Sequence, residues 1–443
     1  MKFPLPRNPY PSFQLSPAYI QQLEVLTNAL LDQGVEEYEE FVHLRNRKVD
    51  AKKWKHLKTR ENLSVYRAFG DHSDDKHLNK LELLMDATSG CDMPTSRLNI
   101  KGNNRLLGVG SIVGTLPDLL YCASTNSEDE MQVRTAYCDD ECVDWQVLYK
   151  LRDGSADNPF RNHGIKWYVK SSPSLTKYVV RPRDVILLDC MGEMSLPSGE
   201  RVGYILYHSL DIPGCEPMDG FVRALLSTLY IFRSTENNSI EVYMRSMCEM
   251  GGNVNDSIVA LSVANALIGV WKMPWGGLNK KLTGMLMQQR KQGKKPAKLA
   301  KSSHCGLCKK GYSILRTATE CELCRHQVCS SCVTVRMICH VRSADGDLHR
   351  LLCELHNPSV AVGRDRNYSP SMVRIETEDD WQRQYQLVSK PSSVESSLVS
   401  QSLSSSMDSH KLHLVAQMSQ LRLAAEQTYQ ITKENERVMN SVQ

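Results

Sequence analysis

The stretch Arg181–Ser209, RPRDVILLDCMGEMSLPSGERVGYILYHS, decides how this chain folds. Val185-Ile-Leu-Leu188 is a short apolar run, and Arg201–His208 (RVGYILYH) is rich in aromatic and β-branched residues. Both predict strands. Leu196–Glu200 (LPSGE) between them has the Pro, Ser and Gly of a turn, so the two runs predict an antiparallel hairpin. Farther on, Ile240-Glu-Val-Tyr-Met-Arg245 alternates apolar and polar residues, the period of a half-buried strand.

Helices flank these strands. In the segment from Ser16 to Val42, Ile20, Leu23, Leu26, Leu30 and Leu31 recur at helical spacing. Ser16 is placed as N-cap, with Pro17 at the first helical position. Thr115–Tyr121 predicts a short helix with Pro117 in its first turn. A last helix begins near Asn255 or Asp256 and runs to about Lys272, since both residues are good caps. It is apolar on most sides through Ile258, Val259, Leu261, Val263, Leu267 and Ile268. Two readings of it stay open: a plain core helix, or one buried on one face and lining an apolar cavity on the other. Hairpin strands between helices predict an α+β domain over residues 16–275.

The rest of the 443 residues divides by composition. Residues 1–15 are proline-rich and read as loose, and Arg45–Arg60 (RNRKVDAKKWKHLKTR) reads as a solvated connection. Residues 276–302 read as a flexible basic linker: Asn279–Ser303 holds eight Lys or Arg and no acid. Residues 359–407 are polar, with a serine-rich run over Ser389–Ser406, and read as disordered. Residues 408–439 predict a helix whose Leu414, Met418, Leu421, Ala425, Thr428 and Ile431 approach heptad spacing, the stripe of a coiled coil.

Hydrophobic residues make up 41% and charged residues 23% of the chain, a soluble globular composition. The net charge of +4 gives no footing for nucleic acid. MKFPLPRNPYPSF has no secretory pattern, no apolar run reaches the ~18 residues of a spanning helix, and NSVQ is no lipidation box. A cytoplasmic protein is expected. Asp139, Asp140, Glu141 and Asp144 read as a solvated acidic loop and His208 as an ordinary histidine. With no nucleophile and base pattern and no phosphate-cradling glycine loop, the chain is not expected to be an enzyme.

Fifteen cysteines fall in two groups. Cys91, Cys122, Cys138, Cys142, Cys190, Cys215 and Cys248 are scattered and read as small core hydrophobes. Eight crowd between Cys305 and Cys353, and seven of them, with His356, read C305-x2-C308-x12-C321-x2-C324-x4-C329-x2-C332-x20-C353-x2-H356. Two intervening residues let both side chains of a knuckle reach one tetrahedral ion. The short gap between Cys324 and Cys329 disfavours neighbouring pairs on one ion, so pairs alternate. Cys305, Cys308, Cys329 and Cys332 are assigned to one zinc; Cys321, Cys324, Cys353 and His356 to the other. Both shells are complete, so the zinc is structural, and it supplies folding energy to a core-poor segment over 303–358. Cys339-His340 remains a rival last pair. Cys353/His356 is preferred because it repeats the spacing, and because the twenty residues before it leave room for a strand pair.

With its interleaved pairs, the segment resembles the FYVE and FYVE-related zinc fingers. That likeness implies a two-zinc, cross-braced module at endosomal membranes. The family's basic motif with a histidine pair before the third ligand is absent: Arg316-Thr-Ala-Thr-Glu-Cys321 stands there, followed by Glu322. Lys309, Lys310, Arg316, Arg325 and Arg336 are the candidates for a weaker anionic-lipid surface, with a solvated basic face as the other reading. The longer region resembles a START-type lipid-binding domain. Trp54 with Val65-Tyr66, Arg181–Leu188, Ser209-Leu-Asp-Ile-Pro213 with Phe221-Val-Arg223, and Gly251-Gly252 carry that likeness. It implies a helix-grip: a curved antiparallel sheet around a long C-terminal helix, enclosing one apolar ligand in several hundred Å³ (roughly the size of small-ligand pockets). Lipid binding or transfer is the leading expectation, with membrane or protein docking through the finger or the last helix. A protein scaffold with a vestigial cavity and a RING-like ubiquitin ligase are the alternatives. RING fingers usually place a histidine in the third pair, where Cys329 stands.

Overall fold

The structure is a computed structural model. It describes residues 3, 5, 9–11, 13–69, 105–138, 140, 142–170, 181–236, 238–252, 256–291, 302–320, 327–330, 332, 334–341 and 348–355. Residues 1–389 form one compact unit and 390–443 another. The second unit, with the expected terminal helix and most of the serine-rich run, lies outside the described residues.

The chain opens with α1 (Pro17–Glu39), extended by a π-turn over Glu40–Leu44. Ser16 caps α1 as expected, accepting from the Tyr19 N–H at 3.2 Å. Strands β1 (Trp54–Arg60), β2 (Asn62–Ala68) and β3 (Arg105–Val113) follow. Next come α2 (Leu116–Ala123), capped by Thr115, and α3 (Glu128–Cys138). The sheet continues through β4 (Cys142–Arg152), β5 (Asn162–Lys170), β6 (Arg183–Ser195) and β7 (Arg201–Ser209). The short β8 (Val222–Arg223), β9 (Leu225–Thr235) and β10 (Ser239–Glu249) complete it. Then α4 (Asp256–Ile268), a 3-10 turn (Gly269–Lys272) and α5 (Met273–Lys291) lead to β11 (Ala318–Glu320), β12 (Gln327–Cys329), β13 (Thr334–Val341) and β14 (Leu348–Leu355).

One sheet holds β1 to β10 in the order β1-β2-β3-β10-β9-β7-β6-β5-β4, with β8 parallel to β6. The expected hairpin is β6–β7, closed where Ser195 pairs with Arg201 and the Gly199 N–H donates to the Leu196 carbonyl at 2.8 Å. Both faces of β6 are covered, which is why it reads as an unbroken apolar run. Ile186 and Leu188 join α1 residues Leu23, Leu26 and Leu30 in one core, while Val185 and Leu187 point to the opposite face. On that second face α2, α4 and the 3-10 turn pack over Leu63, Leu106, Ile205 and Phe232.

Four expectations are corrected. The described residues of 1–15 are not loose. Leu5 N–H donates to Asp144 Oδ2 at 2.7 Å, and Tyr10 exchanges hydrogen bonds with the Gln146 side chain. Tyr10 is buried, Phe13 stacks on Tyr149 and Phe3 meets Phe221 edge-on. The aromatic rings among the prolines bury enough surface to strap the segment down. Asp144, expected in a solvated loop, is buried under that strap.

The basic stretch 45–60 is only half a connection, because Trp54–Arg60 is strand β1 at the sheet's edge. Lysines on an edge strand discourage pairing with another chain, so charge there does not argue against a strand.

Residues 276–291 are not a flexible tether, because α5 runs through Lys291; 292–301 lie outside the described residues. Gly276 and Gly277 let it lie against α2: a Cβ at Gly277 would stand 1.9 Å from the Asp118 carbonyl oxygen. Lys280 Nζ donates to the Tyr121 and Ser124 carbonyls at 3.1 and 2.5 Å, capping the end of α2, and Lys281 pairs with Asp118. Lysine at a helix C-terminus meets carbonyls left without helical partners. These two basic residues are fixtures of the fold rather than a membrane-facing run.

Candidate functional site

Between the sheet and α4 lies a cavity enclosing about 200 Å³, less than the several hundred expected. Its floor is sheet: Tyr168 on β5, Val185 and Leu187 on β6, Tyr207 on β7, Tyr230 on β9 and Cys248 on β10. Its roof is helical, with Val263, Ala266 and Leu267 of α4 and then Val270 and Met273. Ala264 and Ile268 of α4 pack in the core over β2 and β3. Of the two readings of α4, the structure therefore has the cavity-lining one. Gly251 and Gly252, at φ of 60° and 72°, turn the chain from β10 towards α4, backbone angles that favour glycine.

Charge gathers at one side. Arg134 of α3 is buried, with Nη2 3.3 Å from Asp140 Oδ2, and Lys170 Nζ stands 3.7 Å from the same carboxylate. Burial pushes the Asp140 carboxyl up, but Lys170 and Arg134 outweigh it and hold the group below its ordinary range. Burial likewise opposes the Arg134 charge, and Tyr207 and Asp140 restore it. Nearby, Lys166 and Tyr168 flank Asp189: Lys166 Nζ is 2.9 Å and the Tyr168 hydroxyl 2.5 Å from Oδ2, and Lys166 Nζ also donates to Thr125 Oγ1 at 3.2 Å. A second cleft, lined by Gln33, Glu37, Arg105 and Arg245, measures only about 50 Å³, closer to a water site than a ligand site.

The second candidate site is the thiol cluster. Cys305, Cys308, Cys329 and Cys332 place their sulfurs within 4.8 Å of one another. Sulfurs about 2.3 Å from one tetrahedral ion stand about 3.8 Å apart, and Cys308 Sγ is 3.8 Å from Cys329 Sγ. The Cys329 N–H donates to Cys305 Sγ at 3.3 Å. Burial raises the Cys305 thiol, but amides of Cys308, Cys329 and Leu307 bring it down to about 6. Burial and the neighbouring sulfurs push Cys332 up to about 12. Four crowded thiols cannot all lose protons without a cation among them, and a soft divalent ion fits this donor set.

Cys321, Cys324, His356 and Arg325 lie outside the described residues. Cys353 is on β14, opposite Arg336 of β13, and Cys339 and His340 of the rival pair face Arg350 and His349 in the register. These strands are the pair for which the spacing left room. Lys309 and Lys310 are exposed and Arg316 is half-buried. Beside them Ile314 and Leu315 are 96% and 93% exposed, two apolar residues that sequence alone gave no reason to separate from core residues. The knuckle is seated on α5: Leu282 and Leu286 share a core with Cys305, Val328 and Cys329. That seat was not legible in a segment whose composition is dominated by lysine.

No protein-family model matches the chain, and no curated protein matches it either. Among solved structures, human StAR-related lipid transfer protein 5 is 14% identical, covering 58% of this chain and 98% of its own, at a TM-score of 0.37. Human STARD10 is 14% identical over 57% and 82%, at 0.34. The lipid transfer and protein localization domain of human StarD13 is 13% identical over 54% and 96%, at 0.31.

Proposed function

We propose that this chain is a non-enzymatic lipid-binding or lipid-transfer protein with a zinc-stabilised docking finger. The observation that carries the reading is the cavity: aliphatic and aromatic side chains of five strands below, α4 above, and the Arg134–Asp140 ion pair with Lys170 and Arg183 in its wall. An amphiphile fits such a space, with its chain against Leu187, Leu267 and Val270 and its polar end towards Arg134, Asp140 and Lys170. Closure by α4 replaces the water that a free chain would order.

In the finger, Cys305, Cys308, Cys329 and Cys332 would hold one zinc, which supplies folding energy and fixes the knuckle. Cys321, Cys324, Cys353 and His356 are proposed for a second. The exposed Ile314-Leu315 pair, a few residues along the chain from Lys309 and Lys310, is proposed to enter an anionic membrane surface, where apolar burial and charge attraction add. A peripheral, cytoplasmic protein follows from this reading. Because the knuckle rests on Leu282 and Leu286, docking orients the cavity instead of merely tethering it.

The test is lipid extraction and mass spectrometry on the purified full chain, with transfer of fluorescent lipid between vesicles. One class of lipid near one equivalent, moved between vesicles, is the expected result. A chain that carries and moves none is a scaffold with a vestigial cavity. Ubiquitin discharge from a loaded conjugating enzyme would turn the finger into a RING-like module instead.

A further inference from the structure

Most scattered cysteines are inert core residues. Burial pushes Cys142, Cys190 and Cys248 up to about 12. Cys122, in the last turn of α2, and Cys138, the last residue of α3, are different. Both are buried and their sulfurs are 3.4 Å apart. Cys138 also lines the cavity, so one residue of the pair lies in the wall that a molecule inside would meet. Gly276 of α5 sits on both sulfurs: a Cβ there would stand 2.7 Å from Cys122 Sγ and 3.3 Å from Cys138 Sγ. The hydrogen bond from Cys138 is the main influence lowering the Cys122 thiol; burial opposes it, and Arg134 and Lys280 assist. A second thiol in contact and cations nearby favour the thiolate, the form that reacts.

We infer that Cys122 and Cys138 are a redox pair, closed to a disulfide by an organic hydroperoxide that enters the apolar cavity. The inference rests on the cavity being open to apolar molecules. One sulfur, as thiolate, attacks the terminal oxygen of the hydroperoxide. The O–O bond breaks, the alkoxide takes up a proton and leaves as an alcohol, and the sulfur becomes a sulfenic acid. The second sulfur, as thiolate, displaces hydroxide from it, which leaves as water with the second proton. In sum the two thiols lose two protons and two electrons, and the hydroperoxide becomes an alcohol and water. The sulfurs must close from 3.4 Å to about 2.05 Å.

The experiment treats the reduced, zinc-loaded full chain with cumene hydroperoxide or hydrogen peroxide at equal concentration. Remaining thiols are then blocked with N-ethylmaleimide under denaturing conditions and the peptides mapped. Cys122 and Cys138 should be linked, reversibly with dithiothreitol, while zinc read with a chromophoric chelator stays bound. The apolar peroxide should act at least tenfold faster. Cys122→Ser and Cys138→Ala should each abolish the link, with folding checked by thermal melting. Both cysteines labelled, linkage only after zinc is lost, or equal rates for the two peroxides would each overturn the inference. Binding of 1-anilinonaphthalene-8-sulfonate separates the two readings. Dye bound with the pair unlinked sinks the redox pair alone. No dye bound with the pair linked sinks the lipid cavity and, with it, this route.

Discussion

Arg223 forks over Asp184: Nη2 is 2.8 Å from Oδ2 and Nε 3.2 Å from Oδ1. Asp184 is fully buried and also accepts from Trp167 Nε1 at 3.0 Å, and the Arg223 fork reaches the Tyr10 hydroxyl at 2.9 Å. The PRD stretch of β6, the VR stretch of β8 and the N-terminal strap thus share one ion pair. Removing one partner of a buried pair leaves the other charge unmatched. Asp184→Asn should therefore cost about 3 kcal/mol or more in urea unfolding, and it should loosen the segment around Tyr10 in hydrogen exchange.

Acid should weaken the fold through two histidines. His163 is bonded to the Tyr204 hydroxyl and His208 to Ser227, and burial lowers each imidazole to about 4. Unfolded imidazoles take up protons from about pH 6.5 downward, so between there and pH 4 the unfolded chain binds more protons than the folded one. Stability is complete above about pH 6.5 and falls towards pH 4, by at most about 3 kcal/mol per histidine. Asp144, whose desolvated carboxyl is raised, works against this at the low end. Urea midpoints measured from pH 7.5 to 4.5, with His208→Gln flattening the curve, check the assignment.

Filling the cavity should separate ligand binding from folding. Ala266 is exposed on its helix yet lines the cavity, so Ala266→Trp places an indole in the ligand's space without displacing core residues. Lipid co-purifying with the chain should drop at least tenfold, while the melting temperature moves by no more than about 4 °C, the shift of roughly 1 kcal/mol.

Stripping metal should be felt in α5. Leu282 and Leu286 lose their support when the knuckle opens, as unliganded zinc modules generally unfold. Chelation, or Cys305→Ser, should speed hydrogen exchange of the amides around residues 282–286 by tenfold or more, with β6 and β7 unchanged. An unaltered α5 after complete metal loss would refute this coupling.

Membrane docking is tested at the finger's tip. Replacing Ile314 and Leu315 by Asp removes apolar burial and opposes an anionic surface. Flotation with vesicles containing phosphatidylserine should fall at least fivefold, and zinc content should stay the same.

Local chemistry was readable wherever neighbours in sequence are neighbours in space. Ser16 and Thr115 cap the helices that they precede, LPSGE closes β6 onto β7, and CxxC spacing pairs its own thiols. A turn, a cap or a knuckle is complete within a few residues, so composition and spacing determine it.

What faced what was decided by tertiary structure alone. Lys280 reads as a tether residue until the α2 carbonyls stand over it, and Tyr10 reads as loop until Gln146 and Asp184 surround it. Cys122 reads like Cys190 until Cys138 lies beside it. In each instance the partner is distant along the chain, and burial, charge state and reactivity depend on that partner rather than on the residue's own type.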